Sequence, residues 1–295
     1  MEQTDPTAVV IEAPAKINLF LRVIARRPDG YHDLDTVMQK LALADRLELR
    51  LAAGRVRLVC PDSALPEDEG NLAYRAAILF LERAGIQEGV EIVLRKKIPI
   101  AGGLGGGSSD AAAVLRGLNR LFSPGMSMKT LLELAIRLGA DVPFFVAEEN
   151  SVRATGIGER LRPAPPLQPC RVLLVNPGFP VSTRWVYENL ALTRQINPYM
   201  LGRDQVHDNY SEFQASGELL TARNDLEVVT IDRFPELIEI KKNLLEAGAN
   251  VALMSGSGPT VFGLFREESS AAACYTAFAR RYPENVFLTE PRHVL

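Results

Sequence analysis

Pro99-Ile100-Ala101-Gly102-Gly103-Leu104-Gly105-Gly106-Gly107-Ser108-Ser109-Asp110 is the stretch on which the reading of this chain turns. Five of the six residues from Gly102 to Gly107 are glycine, and Ala111 to Leu121 follows as a predicted helix. Glycine accepts φ > 0 and lets bare backbone N–H groups come close to a ligand. A helix opening beside such a loop adds unpaired N–H groups and roughly half a positive charge. The whole run from Pro99 to Ser109 is therefore expected to form an anion cradle of phosphate size. The Ser108 and Ser109 hydroxyls can bond phosphate oxygen or a magnesium ion.

Two other glycine signatures do not fit. A Walker loop ends in Gly-Lys-Ser/Thr, and no lysine stands at that place. A Rossmann fingerprint needs Gly-x-Gly-x-x-Gly at the first strand of a βαβ unit. Here Gly103-x-Gly105 puts Ser108 at the third position, far from the first strand. The bland reading is a flexible surface loop, which does not account for five glycines set before a helix.

Toward the N-terminus, Val9 to Ala13 and Lys16 to Val23 read as strand. Side chains alternate faces along a strand, so Ile17, Leu19, Leu21 and Val23 share one face and Lys16, Asn18 and Phe20 the other. Arg26 to Gly30 is a turn. Leu47–Leu51 and Arg55–Val59 read as two strands, paired as a hairpin around Gly54. Asn71 caps a helix to about Arg83 with Leu72, Ala76, Leu79 and Phe80 on its buried stripe and Gly85 as its stop. Val90 to Leu94 alternates as a strand, and Met128 to Leu138 is a helix between Ser127 and Gly139. The Pro-rich stretch Arg162 to Pro169 marks the expected boundary between an N-terminal domain, 1–161, and a C-terminal domain, 170–295. Beyond it come strand (Arg171–Val175), helices, helix (Phe234–Ala247, with Leu237, Ile240, Leu244 and Leu245 on one face), strand (Val251–Met254), strand (Val261–Phe265), helix (Ala271–Tyr282) and strand (Val286–Leu288). Apart from the inserted helices this is the β-α-β-β-α-β order of a ferredoxin-like domain.

The chain has 295 residues, 33 Lys and Arg against 36 Asp and Glu, 47% hydrophobic and 23% charged residues. That is the balance of a globular protein of about two domains. It gives no basic field for nucleic acid. No apolar run approaches the roughly 18–20 residues of a membrane helix, and the start Met1-Glu2-Gln3-Thr4-Asp5 lacks the basic residues of a signal peptide. Cys60, Cys170 and Cys274 are far apart and odd in number, and neither they nor the three histidines show metal-ligand spacing. A cytoplasmic protein without a resident metal is the expectation.

Three further features bear on chemistry. Ser255-Gly256-Ser257-Gly258-Pro259-Thr260 joins two predicted strands, as either a structural hairpin or a second backbone wall facing a phosphate or acceptor. Asp141, in Gly139-Ala140-Asp141-Val142-Pro143, is either the cap of a following turn or a catalytic carboxylate. Lys16 either snorkels to water or works beside Asn18. Tyr31-His32 is a core-edge pair or a base-stacking platform.

Together these motifs resemble the GHMP kinases, whose nucleotide loop has the form Pro-x-x-x-Gly-Leu-Gly-Ser/Gly-Ser/Gly-Ser, as in Pro99 to Ser108. The similarity extends to Pro14-Ala15-Lys16-Ile17-Asn18-Leu19, Arg27-Pro28-Asp29-Gly30-Tyr31-His32, Gly139 to Phe145, Asn224-Asp225-Leu226-Glu227 and Ser255 to Phe262, nearly the whole chain. The resemblance implies an α+β fold of two domains, S5-like then ferredoxin-like, with ATP as co-substrate and magnesium alongside it. Asp-Gly-Tyr-His resembles the branch that phosphorylates the 2-hydroxyl of a diphosphocytidyl-methylerythritol; a small acceptor such as homoserine would not need Tyr31-His32. It further implies Asp141 as base, Lys16 beside it, Asn18 near the erythritol, and Tyr31 and His32 at the cytidine. Tyr187 would close the base sandwich, where phenylalanine is commoner. Ser108 is the one magnesium candidate, and no metal ligand set is assigned. Retention of both Lys16 and Asp141 argues against a non-catalytic nucleotide sensor.

Overall fold

The structure, a computed structural model, describes residues 7–122, 125–196 and 222–293. In chain order its elements are β1 (Ala8–Arg26), β2 (His32–Ala52), β3 (Arg57–Val59), α1 (Leu72–Ala84), β4 (Gly89–Arg95), α2 (Gly106–Leu121), α3 (Met128–Leu138), α4 (Val142–Val146), β5 (Ser151–Gly156), β6 (Arg160–Pro163), β7 (Arg171–Val175), α5 (Thr183–Ile196), β8 (Arg223–Asn224), α6 (Glu227–Arg233), α7 (Glu236–Glu246), β9 (Val251–Met254), β10 (Val261–Phe265), α8 (Glu268–Arg281) and β11 (Val286–Thr289). The chain forms two compact units, each from separate segments. The first comprises Met1–Ala15, Leu43–Ile98 and Gly105–Glu148; the second comprises Lys16–Ala42, Pro99–Leu104 and Glu149–Leu295. Arg162 to Pro169 lies inside the second unit.

In the first unit, the end of β2 pairs antiparallel with β4 from Arg46↔Arg95 to Ala52↔Gly89. The short β3 lies on the far side of β4, parallel to it. The expected hairpin around Gly54 is therefore not formed. The sequence pattern marks β2 and β3 as strands, but the seven-residue ladder of β4 occupies the place beside β2 that a hairpin partner would take. Val90, Ile92 and Leu94 alternate into the interior and are buried, as are Leu47, Leu49, Phe80, Leu118 and Phe144 of the same unit. Helix α1 begins at the expected cap, where the Asn71 side chain accepts from Ala73 N, and stops at Gly85, which has φ +68°. Its buried stripe is Ala73, Ala76, Ala77, Phe80 and Leu81. Leu72 and Leu79, expected on the buried stripe, stand half-buried at its edge.

The second unit holds a four-stranded sheet in the order β11-β7-β10-β9. All three pairings are antiparallel: Val261 of β10 faces Val175 on one side and Met254 on the other, and Val286 of β11 also faces Val175. This is the ferredoxin-like order expected from the sequence. Leu237, Ile240 and Leu244 of α7, and Cys274 and Phe278 of α8, are buried in one core with Leu173, Met254 and Phe265. Leu245, expected on the buried face of α7, is 49% exposed, since the period of 3.6 carries it past that face. The same unit holds the early part of β2 against β5, and β8 parallel to β1 at Phe20↔Arg223.

Candidate active site

The glycine loop turns through the left-handed region at Ala101 (φ +54°), Gly103 (φ +76°) and Gly105 (φ +72°). Gly105 is the N-cap residue of α2, and Ser109 N donates to its carbonyl at 2.9 Å. Helix α2 thus starts at Gly106, five residues before the expected start at Ala111. The low helix propensity of glycine, about 1 kcal/mol each against alanine, hides this from the sequence. The helix is fixed here by packing, with Ser109 to Leu115 all buried. Gly106, Gly107 and Ser108 therefore form a first helical turn, not a loop.

The loop's carbonyls are taken up by the protein. Gly102 O accepts from Thr260 N at 3.3 Å and Leu104 O from Lys16 N at 2.9 Å. Gly103 O accepts from both Lys16 Nζ at 3.0 Å and Ser255 Oγ at 2.9 Å. Among the described residues, the N–H groups of Gly103, Gly105, Gly106 and Gly107 donate to no protein group. With carbonyls tied and amides unclaimed, the loop has the polarity of an anion site.

The second glycine loop, Ser255 to Thr260, is a hairpin between β9 and β10, closed by Ser255 N to Thr260 O at 2.9 Å, and the backbone of Gly102 and Gly103 rests against it. A Cβ on Gly103 would lie 2.2 Å from Ser255 O, so the two backbones are as close as glycine permits. Asn224 Nδ2 holds this loop by donating to Met254 O at 2.8 Å and Gly256 O at 2.7 Å. Asn176 Nδ2 adds a bond to Thr260 Oγ1. Ser255, Thr260 and Asn224 lie in stretches the sequence singles out, but without these individual bonds; nothing in the sequence points to Asn176.

Lys16 is 4% and Asn18 3% exposed. Snorkelling to water is excluded by that burial: Lys16 Nζ donates to Asn18 Oδ1 at 2.5 Å and to Gly103 O. Asn18 Nδ2 in turn donates to Thr36 Oγ1, which donates to Phe20 O. Strand alternation brings Lys16 and Asn18 together as expected, and Thr36 of β2 completes the chain of bonds. Also in the second unit, His32 and Tyr187 stack with ring centroids 5.1 Å apart and planes at 25°. Tyr31 is 60% exposed, while Trp185 packs half-buried against the hydrophobic core. Asp141 belongs to the first unit. It occupies the N-cap position of α4 with helical φ and ψ, and its side chain makes no capping bond. Helix capping therefore does not explain it.

The sequence profile of the GHMP kinases N terminal domain matches residues 71–149, and that of the GHMP kinases C terminal matches 209–284. A protein of Syntrophotalea carbinolica named 4-diphosphocytidyl-2-C-methyl-D-erythritol kinase is 46% identical over 286 residues, 95% of this chain and 97% of that protein. The chain belongs to the GHMP kinase family. A Citrifermentans bemidjiense protein of the same name is 47% identical, over 91% of this chain and 94% of its own. A crystal structure of 4-(cytidine 5'-diphospho)-2C-methyl-D-erythritol kinase superposes with a TM-score of 0.81 at 38% identity, covering 97% of this chain and all of that one. A homoserine kinase from Cytophaga hutchinsonii shares the GHMP kinase fold, with a TM-score of 0.70 at 21% identity over 98% and 96% of the two chains. Among the described residues no helix is long and apolar enough to cross a membrane.

Proposed function

We propose that this GHMP kinase transfers the γ-phosphoryl group of ATP to the 2-hydroxyl of 4-diphosphocytidyl-2-C-methyl-D-erythritol. The observation that carries the ATP half is the polarity of the glycine loop, with carbonyls bound by protein donors and, among the described residues, the N–H groups of four glycines unclaimed. Such amides meet phosphate oxygens without reorganising, so their field is already in place when charge shifts in the transition state. Relatives at 46–47% identity carry the acceptor in their name. The stacked His32 and Tyr187 rings support a site for its base. A cytosine between them needs two contact distances of about 3.5–4 Å. The rings therefore part on binding, or the base stacks on the outer face of one, with Tyr31 beside it.

In this reading Asp141 takes the proton of the acceptor hydroxyl as it attacks, and the Lys16 ammonium steadies the developing alkoxide. Asn18, tied to Lys16, orients the erythritol. General-base help is worth about 10²–10⁴-fold, and the rest is positioning and charge stabilisation. Among the described residues no three His, Cys, Asp or Glu side chains gather as a metal site. Magnesium would arrive on the ATP phosphates, which supply most of its non-water ligands in kinases, and it would neutralise charge there. The domains are proposed as 1–161 and 170–295, with ATP held chiefly by residues of the former, and the protein as cytoplasmic.

The deciding experiment is transfer of labelled phosphate from ATP to the diphosphocytidyl acceptor, run beside homoserine and mevalonate. The cytidylylated acceptor should be the only one labelled efficiently. Asp141→Asn and Lys16→Met should each cut turnover by about 10² or more while ATP affinity stays within a few-fold. Near-normal turnover in either variant removes that residue from the chemistry.

A further inference from the structure

Beneath the start of α2 the first unit buries three charges that the chemistry above does not use. Lys96 Nζ lies 2.5 Å from Asp45 Oδ2 and 2.8 Å from Asp110 Oδ2, and the three side chains are 8%, 0% and 2% exposed. A buried ion cluster is a poor source of stability, because desolvation cancels most of the attraction. Its geometry is more informative. Asp45 is on β2, and its Oδ1 also accepts from Lys97 N at 2.5 Å and Ile98 N at 2.9 Å. That carboxylate grips the chain just before Pro99, where the glycine loop begins. Asp110 stands one turn into α2, the helix that opens where the loop ends at Gly105. Lys96 joins the two. Gly106 makes room for it: a Cβ there would come within 3.2 Å of both Lys96 Nζ and Ile98 Cγ2. A loop this rich in glycine loses much backbone entropy on ordering, and fixing its two ends together reduces the freedom that remains to be lost when a ligand binds.

We propose that Lys96, with Asp45 and Asp110, is a positioning brace that holds the two stems of the glycine loop in register and thereby sets its affinity for ATP. The proposal rests on the reading of the loop as the ATP-phosphate site. None of the three residues touches the nucleotide in this scheme; they act through the loop's ends.

The test measures dissociation constants for ATP and for the diphosphocytidyl acceptor in the full-length chain. Asp110→Ala, which removes one arm, should weaken ATP binding ten-fold or more and leave acceptor binding within two-fold. Asp110→Asn keeps an oxygen for Lys96 and should recover ATP binding to within three-fold of the unaltered chain. A folded Asp110→Ala chain with unchanged ATP affinity, or one that loses both ligands equally, overturns the brace. Should Asp110→Ala fail to fold, hydrogen exchange on the unaltered chain decides. Without nucleotide, the Lys97 and Ile98 amides should exchange as slowly as the β4 ladder; exchange as fast as an open turn overturns the proposal. Slow exchange there in a chain that binds no ATP would instead overturn the phosphate reading of the loop, and the affinity claim with it.

Discussion

At Gly103 a single residue meets several demands at once. Its φ of +76° costs an L-residue roughly 1–2 kcal/mol, and a Cβ would overlap Ser255 O, a clash of the overpacking kind worth about 1–3 kcal/mol. Its carbonyl also receives two donors. Gly103→Ala should therefore destabilise the fold by about 2–5 kcal/mol and weaken ATP binding sharply. Ser255→Ala removes one of the two donors and leaves the Lys16 bond in place, so about 1 kcal/mol and a few-fold in ATP affinity are expected. Urea unfolding and calorimetry on the pair check the order of the two effects. A Gly103→Ala chain as stable as the unaltered one would mean the two loops are not clasped. The sequence made the need for glycine legible, and the alternation of β1 made Lys16 and Asn18 legible as neighbours. It could not show Ala101 at φ +54°, because alanine does not advertise the left-handed region, nor which carbonyl Lys16 would find.

Among the elements, the short β8 with the turn into α6 does more than its length suggests. Asn224 Nδ2 holds Met254 O and Gly256 O, while its Oδ1 accepts from Leu226 N. Asp225 Oδ2 receives Val23 N of β1, and Glu227 Oε1 receives Met254 N. Asn224-Asp225-Leu226-Glu227 is thus a clamp that seats the β9–β10 loop, an assignment that no local pattern reveals because the groups it holds, on Met254, Gly256 and Val23, are distant in sequence. Asn224→Asp is nearly the same size but exchanges both donors for an acceptor facing two carbonyls. Leaving buried groups unsatisfied costs about 1–3 kcal/mol each, so a loss of about 2–4 kcal/mol at neutral pH is expected. A change below about 0.5 kcal/mol in urea unfolding would show that the clamp is dispensable. Helix and strand positions were legible wherever periodicity and caps agreed, as at Asn71 and Ser127. Strand neighbours were not: β3 and β2 are close in sequence, yet β4 comes between them, and ladder length decided the matter.

Across the whole molecule, the two compact units interleave along the chain. Both long strands pass from one unit to the other, at Ala15–Lys16 and Ala42–Leu43, and composition along a sequence carries no record of such crossings. A property of the entire fold, its stability as a function of pH, does follow from one buried group. Burial pushes the Asp110 carboxyl up to about 7, with Lys96 opposing the effect and Asp45 on β2 adding to it; the Cys60 thiol also feels Asp110 and Lys96. The unfolded chain releases this proton near pH 4, so between about pH 4 and 7 the folded state binds more protons than the unfolded one. Stability from this group is then fully present below pH 4 and falls as pH rises toward 7. The difference between the unaltered chain and Asp110→Asn isolates the effect of this one group. That difference should move in favour of Asp110→Asn by on the order of 1–4 kcal/mol from pH 4.5 to 7.5, and should be level beyond that until Lys96, whose pKa its two carboxylates raise, begins to lose its proton. Urea unfolding of the two proteins across this range checks it. A constant difference would mean that Asp110 is ionised throughout and that the triad carries its full negative charge at pH 4.5.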